Sequence, residues 1–362
     1  MSAAPGEAPG TTPTTPDRTG ADRPSISFVV ASLNEEASIG ACVRSLLDQD
    51  YPSEHIQVAV VDGGSTDRTC EIVSEIAAAD PRVQLLHNPA RIAASAFNIG
   101  VAGTTGELIS LASAHSRTDP QYAAVLAEAF RTSGAALVGG RMDAEAGPDS
   151  GPMAAAIVAA TSSPLGLGSA KHHYSAEPGW VDTAFPGAYR RELFDVIGGF
   201  DESLVRNQDD ELHLRARLAG HRMWFEPRLR SRYRPRAELR RLWRQYYQYG
   251  WWRAMTVHKH RRVVSPRHVA PAALVAGLAA GPVLAAAARH RLVLGHRLVL
   301  GVWAAGAGSW AALLAVAGWR ERDGPRAVAR RVPAAVACLQ VAYGAGFWGG
   351  VAHLVRRSVR GG

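Results

Sequence analysis

Acidic side chains all but vanish from the second part of this chain. Residues 1–221 hold 28 Asp and Glu against 15 Lys and Arg, whereas residues 222–362 hold 4 against 25. A basic surplus of that kind suits nucleic acid or an anionic membrane surface. Cysteine is as scarce. Cys42, Cys70 and Cys338 are the only three, with neither metal-ligand spacing nor a disulfide pattern, which fits a reducing cytosol. Residues 1–24 lack a signal-type apolar core and are rich in Ala, Pro, Gly and Thr, so they read as a disordered tail. No repeat of solenoid length occurs, and 362 residues suffice for a full α/β core with sequence left over.

What the basic half does have is three uncharged apolar runs, 269–288, 298–319 and 332–354. Each is long enough to cross a hydrocarbon core of roughly 30 Å as a helix. Their Gly and Ala content suits close helix packing in lipid. A nucleic-acid domain has no use for such runs, so membrane is the expected partner and nucleic acid is not. Five arginines in 320–331, and a basic segment before 269, assign those stretches to the cytoplasmic side. The expectation is three spans and a multi-pass protein of the cell membrane, its soluble part cytoplasmic. Residues 228–268 carry Arg228, Arg230, Arg232, Arg234 and Arg236, then Trp243, Tyr246, Tyr247, Tyr249, Trp251 and Trp252 among further arginines. Next to membrane spans this reads as an interfacial segment, with rings at headgroup depth and arginines on anionic lipid.

The soluble part, 25–227, alternates in type. Strands are predicted at 26–31, 56–61, 83–87 and 107–111, and helices at 36–48, 67–79 and 92–102. Strands alternating with helices of that length predict βαβ units in a parallel, Rossmann-like α/β sheet. From Gly139 to Pro186 the pattern fades. Beyond it, 190–197 and 209–219 read as helices, the second stopped by Gly220.

The chemistry-bearing signal is Val60-Val61-Asp62-Gly63-Gly64-Ser65-Thr66-Asp67. A carboxylate at the C-terminal end of a parallel strand, beside a loop of small side chains, marks the place where open α/β sheets bind nucleotides. The competing reading is an ordinary βα turn with Thr66 or Asp67 as N-cap. Three further elements accompany it: Ser32-Leu33-Asn34-Glu35-Glu36, Asn88-Pro89-Ala90-Arg91 leading to Asn98 and Gly100, and Asn207-Gln208-Asp209-Asp210-Glu211-Leu212. In that order and spacing, with Val181-Asp182-Thr183 and Pro186-Gly187-Ala188-Tyr189-Arg190-Arg191 between them, the chain resembles the family 2 inverting glycosyltransferases of GT-A fold. The branch it resembles most contains the succinoglycan-type exopolysaccharide enzymes.

That resemblance implies a nucleotide-sugar donor held by Asn34, Glu35 and Asp62, with a UDP-sugar as the first candidate. Arg91 is a candidate for the diphosphate, since a guanidinium matches phosphate oxygens in a fork; the alternative is a solvated loop arginine. At the fourth strand the family usually carries Asp-x-Asp and the exopolysaccharide branch often Asp-x-His, but this chain has Ser113-Ala114-His115. His115 can ligate Mn2+ or Mg2+, although Mg2+ favours oxygen donors. Ser113 offers the donor a hydrogen bond without charge. The family's base position falls on Asp209, with Asp210 as fallback, to take the proton of the attacking acceptor hydroxyl. One base without a second catalytic carboxylate implies a single inverting displacement. The Gln-x-x-Arg-Trp signature of processive synthases is missing, since Gln248 is followed by Tyr-Gly-Trp-Trp, which favours adding one sugar per encounter. The expected acceptor is lipid-linked or a growing glycan in exopolysaccharide or envelope assembly, with other polysaccharide-assembly proteins as partners. A non-catalytic GT-A membrane scaffold and a polyprenyl-phosphate glycosyltransferase are the rival readings.

Overall fold

A computed structural model describes residues 23–147, 150–167, 171–233, 235–262, 268–288 and 293–360. Most of the expected tail, Arg234, residues 263–267 and residues 289–292 lie outside the described residues. Val and Ile on both faces of the first two strands are fully buried, as in a parallel sheet covered on each side. β1 (Ile26–Ser32), β2 (Ile56–Asp62), β3 (Val83–His87) and β4 (Leu108–Ser113) run parallel in the order β3-β2-β1-β4. The register sets Ser32 opposite Asp62 and Ala31 opposite Ser113, so the loops after β1, β2 and β4 leave the sheet along one edge. β1 lies between strands wound in opposite directions, the switch point at which such sheets bind ligands.

The sheet continues β4-β8-β6-β9-β5, with β7 paired to β9. These strands are β5 (Arg117–Thr118), β6 (Leu137–Ala144), β7 (Gly179–Val181), β8 (Gly187–Arg190) and β9 (Met223–Tyr233). α1 (Ile39–Leu47), α2 (Thr69–Ala79), α3 (Ala93–Ala102) and α4 (Tyr122–Ser133) supply the covering layers. Phe28, Val30, Val58 and Val60 face Val43, Leu46, Leu126 and Phe130 on one side. Val29, Val61, Ile109 and Leu111 face Ala94, Ala96 and Leu212 on the other. Each such aliphatic side chain contributes about 1.5–3 kcal/mol by leaving water.

The stretch that the sequence pattern left unassigned contains α5 (Pro152–Thr161) and α6 (Pro164–Leu167). Then follow α7 (Glu192–Ile197), α8 (Gln208–Leu218), α9 (Leu239–His260), α10 (Ala270–Ala288), α11 (Val293–Arg320), α12 (Arg326–Ala329) and α13 (Val332–Arg360). Ala156, Ile157 and Ala160 of α5 bury against Leu242 of α9 and Val332, Ala335, Val336 and Leu339 of α13. α9 and α13 cross at backbone distance: a Cβ on Gly250 would fall 1.9 Å from the Tyr343 oxygen, and one on Gly346 the same distance from the Tyr247 oxygen. Only glycine allows that approach.

Among the described residues two helical stretches, Arg297–Arg320 and Arg326–Arg360, are long and apolar enough to cross a membrane. The first of the three runs folds as α10, 19 residues with Pro282 inside. β9 carries the sheet on through Tyr233, so the basic stretch starts as a strand. Arg228, Arg230 and Arg232 alternate outward on it and pair with Glu128 and Glu226, with Asp143, and with Glu145. Those three arginines are partnered on the sheet.

Candidate active site

The loop after β2 is built on Asp62. Its side chain is buried, and one carboxylate oxygen accepts the N–H groups of Gly64 and Ser65, each at 2.8 Å. The other accepts the hydroxyls of Ser32 and Ser65. Gly64 takes φ +79°, which only glycine adopts freely. Burial disfavours the Asp62 charge, but the hydrogen bonds it accepts, those from Ser65 first, outweigh it and hold the carboxyl below its ordinary range. The loop after β1 is stitched to this one in both directions. Asn34 donates its N–H to Ser65 Oγ at 2.8 Å and accepts the Thr66 N–H on Oδ1 at 2.8 Å. Glu35 N–H donates to Thr69, and the Glu36 and Arg68 N–H groups donate to the Asp67 and Glu36 carboxylates.

Glu35 then reaches the loop after β4. Its Oε1 lies 3.3 Å from His115 Nδ1, and the Ser113 hydroxyl lies 3.1 Å from His115 Nε2. Arg91 closes the corner, its guanidinium donating to the Gly64 carbonyl at 3.2 Å. Asn34, Arg91 and Asn207 all have positive φ near 60°. Such backbone is uncommon outside glycine and gathers where loops are held for function. Asn34, Glu35, Asp62, Arg91, Ser113 and His115 are therefore brought into one corner. Asn98 is not: it holds Phe200 and Glu202, ahead of α8. For a cation the corner offers the His115 imidazole, the Glu35 carboxylate and the neutral Ser113 hydroxyl. No group of three or more His, Cys, Asp or Glu suited to a metal occurs among the described residues. Any ion here needs further oxygens from its ligand.

Asp209 and Asp210 open α8, whose Leu212 belongs to the same buried cluster as Val61 and Leu111, the residues leading to Asp62 and Ser113. The two carboxylates are placed differently. Asp210 is ion-paired with Arg253 of α9 and accepts the Thr183 hydroxyl at 3.2 Å. Burial opposes its charge, but Arg253 first, and then His268, hold the carboxyl well below the usual range. Among the described residues, the side-chain hydrogen bond to Asp209 comes from the Asp210 N–H at 2.8 Å. Burial and then the Asp210 charge push its carboxyl up. Of the two, Asp209 is the one with lone pairs to spare and the greater appetite for a proton.

Sequence reasoning missed what stands behind this pair. The Thr183 hydroxyl lies 3.1 Å from His213 Nδ1, and the Tyr189 hydroxyl 3.1 Å from His213 Nε2. Burial pushes the His213 imidazole down to about 4, so it is neutral. A carboxylate only accepts, so Thr183 donates to Asp210 and accepts from Nδ1–H, and Nε2 accepts from Tyr189. Val181-Asp182-Thr183 and Tyr189 were noted as motif residues, whereas Arg253, 43 positions from its partner, gave no pattern to read.

Residues 27–198 match glycosyl transferase family 2. The succinoglycan biosynthesis protein ExoA of Rhizobium meliloti (strain 1021) is 36% identical over 89% of this chain and 93% of its own length. A dolichyl N-acetyl-alpha-D-glucosaminyl phosphate 3-beta-D-2,3-diacetamido-2,3-dideoxy-beta-D-glucuronosyltransferase of Methanococcus voltae is 25% identical over 65% of this chain and 74% of its own. Among solved structures, the mannosyltransferase PcManGT of Pyrobaculum calidifontis, in complex with GDP-Man and Mn2+, superposes with a TM-score of 0.54 and 19% identity, covering 91% of this chain and 87% of that one. The chain belongs to glycosyltransferase family 2, and its sheet is of the GT-A type.

Proposed function

We propose that this family 2 glycosyltransferase is anchored in the cell membrane, faces the cytoplasm and moves one sugar per encounter, with inversion, from a nucleoside-diphosphate sugar to a lipid-linked or growing glycan. The single observation that carries the reaction is Asp209, a carboxylate with free lone pairs and raised proton affinity beside a neutralised neighbour. As the acceptor oxygen attacks the anomeric carbon, its proton passes to Asp209. The bond from that carbon to the phosphate oxygen breaks, and the nucleoside diphosphate leaves with the electron pair. With no second carboxylate serving as nucleophile, one displacement inverts the centre.

Asn34, Asp62 and Arg91 frame the nucleotide side. Because Asp62 already accepts four hydrogen bonds, it acts chiefly by fixing the loop against which the base and ribose lie. His115 and Glu35 would hold a divalent cation, Mn2+ ahead of Mg2+ because of the imidazole donor, with the donor's diphosphate completing its shell. When bound it would offset the charge of the leaving group. An exopolysaccharide setting is supported by the likeness to ExoA, and a lipid-linked acceptor by the dolichyl-linked substrate in the name of the Methanococcus relative. α11 and α13 support the anchoring.

The test is a thermal-shift screen of UDP- and GDP-sugars on the solubilised chain with and without Mn2+, since ligands of the folded state alone raise its stability. It is followed by transfer of labelled sugar into a membrane extract. A Mn2+-dependent shift and labelled glycolipid are expected. Donor binding without hydrolysis or transfer would assign the scaffold reading instead.

A further inference from the structure

Arg253 has no part in bond making as described, yet it is the most deeply placed cation near the candidate base. It is 3% exposed and lies in the C-terminal half of α9. Its Nη2 donates to Asp210, its Nε donates to the Tyr343 hydroxyl of α13 at 3.3 Å, and its Nη1 is buried with no hydrogen-bond partner among the described residues. α9 holds the start of α8 at two more points. Asn207 Nδ2 donates to the Tyr249 carbonyl at 3.1 Å, and Lys259 and His260 meet the buried Glu211 carboxylate at 2.8 and 2.9 Å. Of the three acidic residues in the first turn of α8, two are thus gripped by α9. Asp209 is not.

We infer that Arg253 is a positioning residue for the base: seated between α9 and α13, it locks Asp210 onto itself and leaves Asp209 as the carboxylate presented to the acceptor. This rests on the reading of Asp209 as base. Adjacent carboxylates do not both ionise freely without a counter-charge, so a chain lacking Arg253 would share one proton between them. The charged and titratable groups round the pair are Arg253 and Tyr343 from the helical layer, His213 one turn along α8, Tyr189 of β8 and His268 ahead of α10. Of these, Arg253 is the group ion-paired with Asp210 from α9. The register that delivers it is set by the Gly250 and Gly346 crossing of α9 on α13.

The test is the acid limb of kcat/KM against pH for the full-length chain in detergent, using the nucleotide sugar and membrane extract that give wild-type turnover. Titrations with UDP and GDP run on the same samples. Arg253→Met should lower kcat about a hundredfold, the scale of a misplaced general base. It should also move the acid limb to higher pH by about one unit, because the cation that favours ionisation is gone. Asp210→Asn should move the limb the other way, because the neighbouring negative charge is gone. Arg253→Lys, which keeps the charge, should hold the limb within a few tenths of wild type. Nucleotide affinity should not change in any of them. Should Arg253→Met fail to fold, the opposed behaviour of Asp210→Asn and Arg253→Lys carries the test. Limbs that stay in place in every variant, whatever the loss of rate, or weaker nucleotide binding as the sole effect, would overturn the role of Arg253. Turnover surviving in Asp209→Asn would instead overturn the base assignment beneath it.

Discussion

Asp62 and Asp209 are both acidic, one ending β2 and the other opening α8, and they are opposite in character. Asp62 accepts four hydrogen bonds, two of them from backbone N–H groups, and its carboxyl is held below the ordinary range. Asp209 accepts one among the described residues and is pushed up to about 6. A carboxylate whose lone pairs are taken up by its own loop cannot also receive a proton from a substrate. One that is desolvated and nearly unbonded can. The count of donors around each oxygen, more than its place in a motif, separates the residue that shapes the pocket from the residue proposed to do chemistry in it.

Four changes would break or sharpen that contrast. The largest is expected from Asp62→Ala, which strands the Gly64 and Ser65 N–H groups. It should cost about 3 kcal/mol in thermal unfolding and abolish nucleotide binding by titration. Next is pH. Asp209 must be ionised to act, so kcat/KM should fall about tenfold per unit below pH 6. Asp62 has the opposite sign: its folded-state value is lowered, so its stabilisation is complete above its unfolded value near 3.8 and is lost only as pH falls below that. Circular dichroism across pH 6 to 4 should therefore show the nucleotide loops still ordered while transfer fades. Third, Glu35→Gln weakens the partner of His115 and should raise the Mn2+ needed for half-maximal transfer by about tenfold. The smallest effect is expected from Arg232→Gln on β9. Its pair with Glu145 is exposed, so stability should change by less than about 0.5 kcal/mol. Binding to anionic vesicles should not change, whereas a lipid-contacting arginine would weaken it.

The parallel half of the sheet was legible because its signals are local. Strands β1 to β4 begin and end within two residues of the ranges that the apolar pattern predicts, and α8 stops near Gly220 as expected. The first corner of the site was legible for the same reason, each member lying just after a strand. Three things were not. α5 lay hidden in a loop-rich stretch because its partners on α9 and α13 are far along the chain. The ion pairs of the alternating arginines from 228 gave no local pattern, because Glu128 comes from α4 and Asp143 and Glu145 from the end of β6. Arg253 sat among aromatic residues that suggested a membrane surface, and only the glycine-mediated crossing of α9 on α13 turns it inward.

The most direct measurement is transfer by Asp209→Asn with nucleotide affinity titrated on the same protein. The expected result is affinity close to wild type and transfer reduced at least about a hundredfold. Near-normal transfer by Asp209→Asn, with Asp210→Asn inactive, would contradict the assignment of the base.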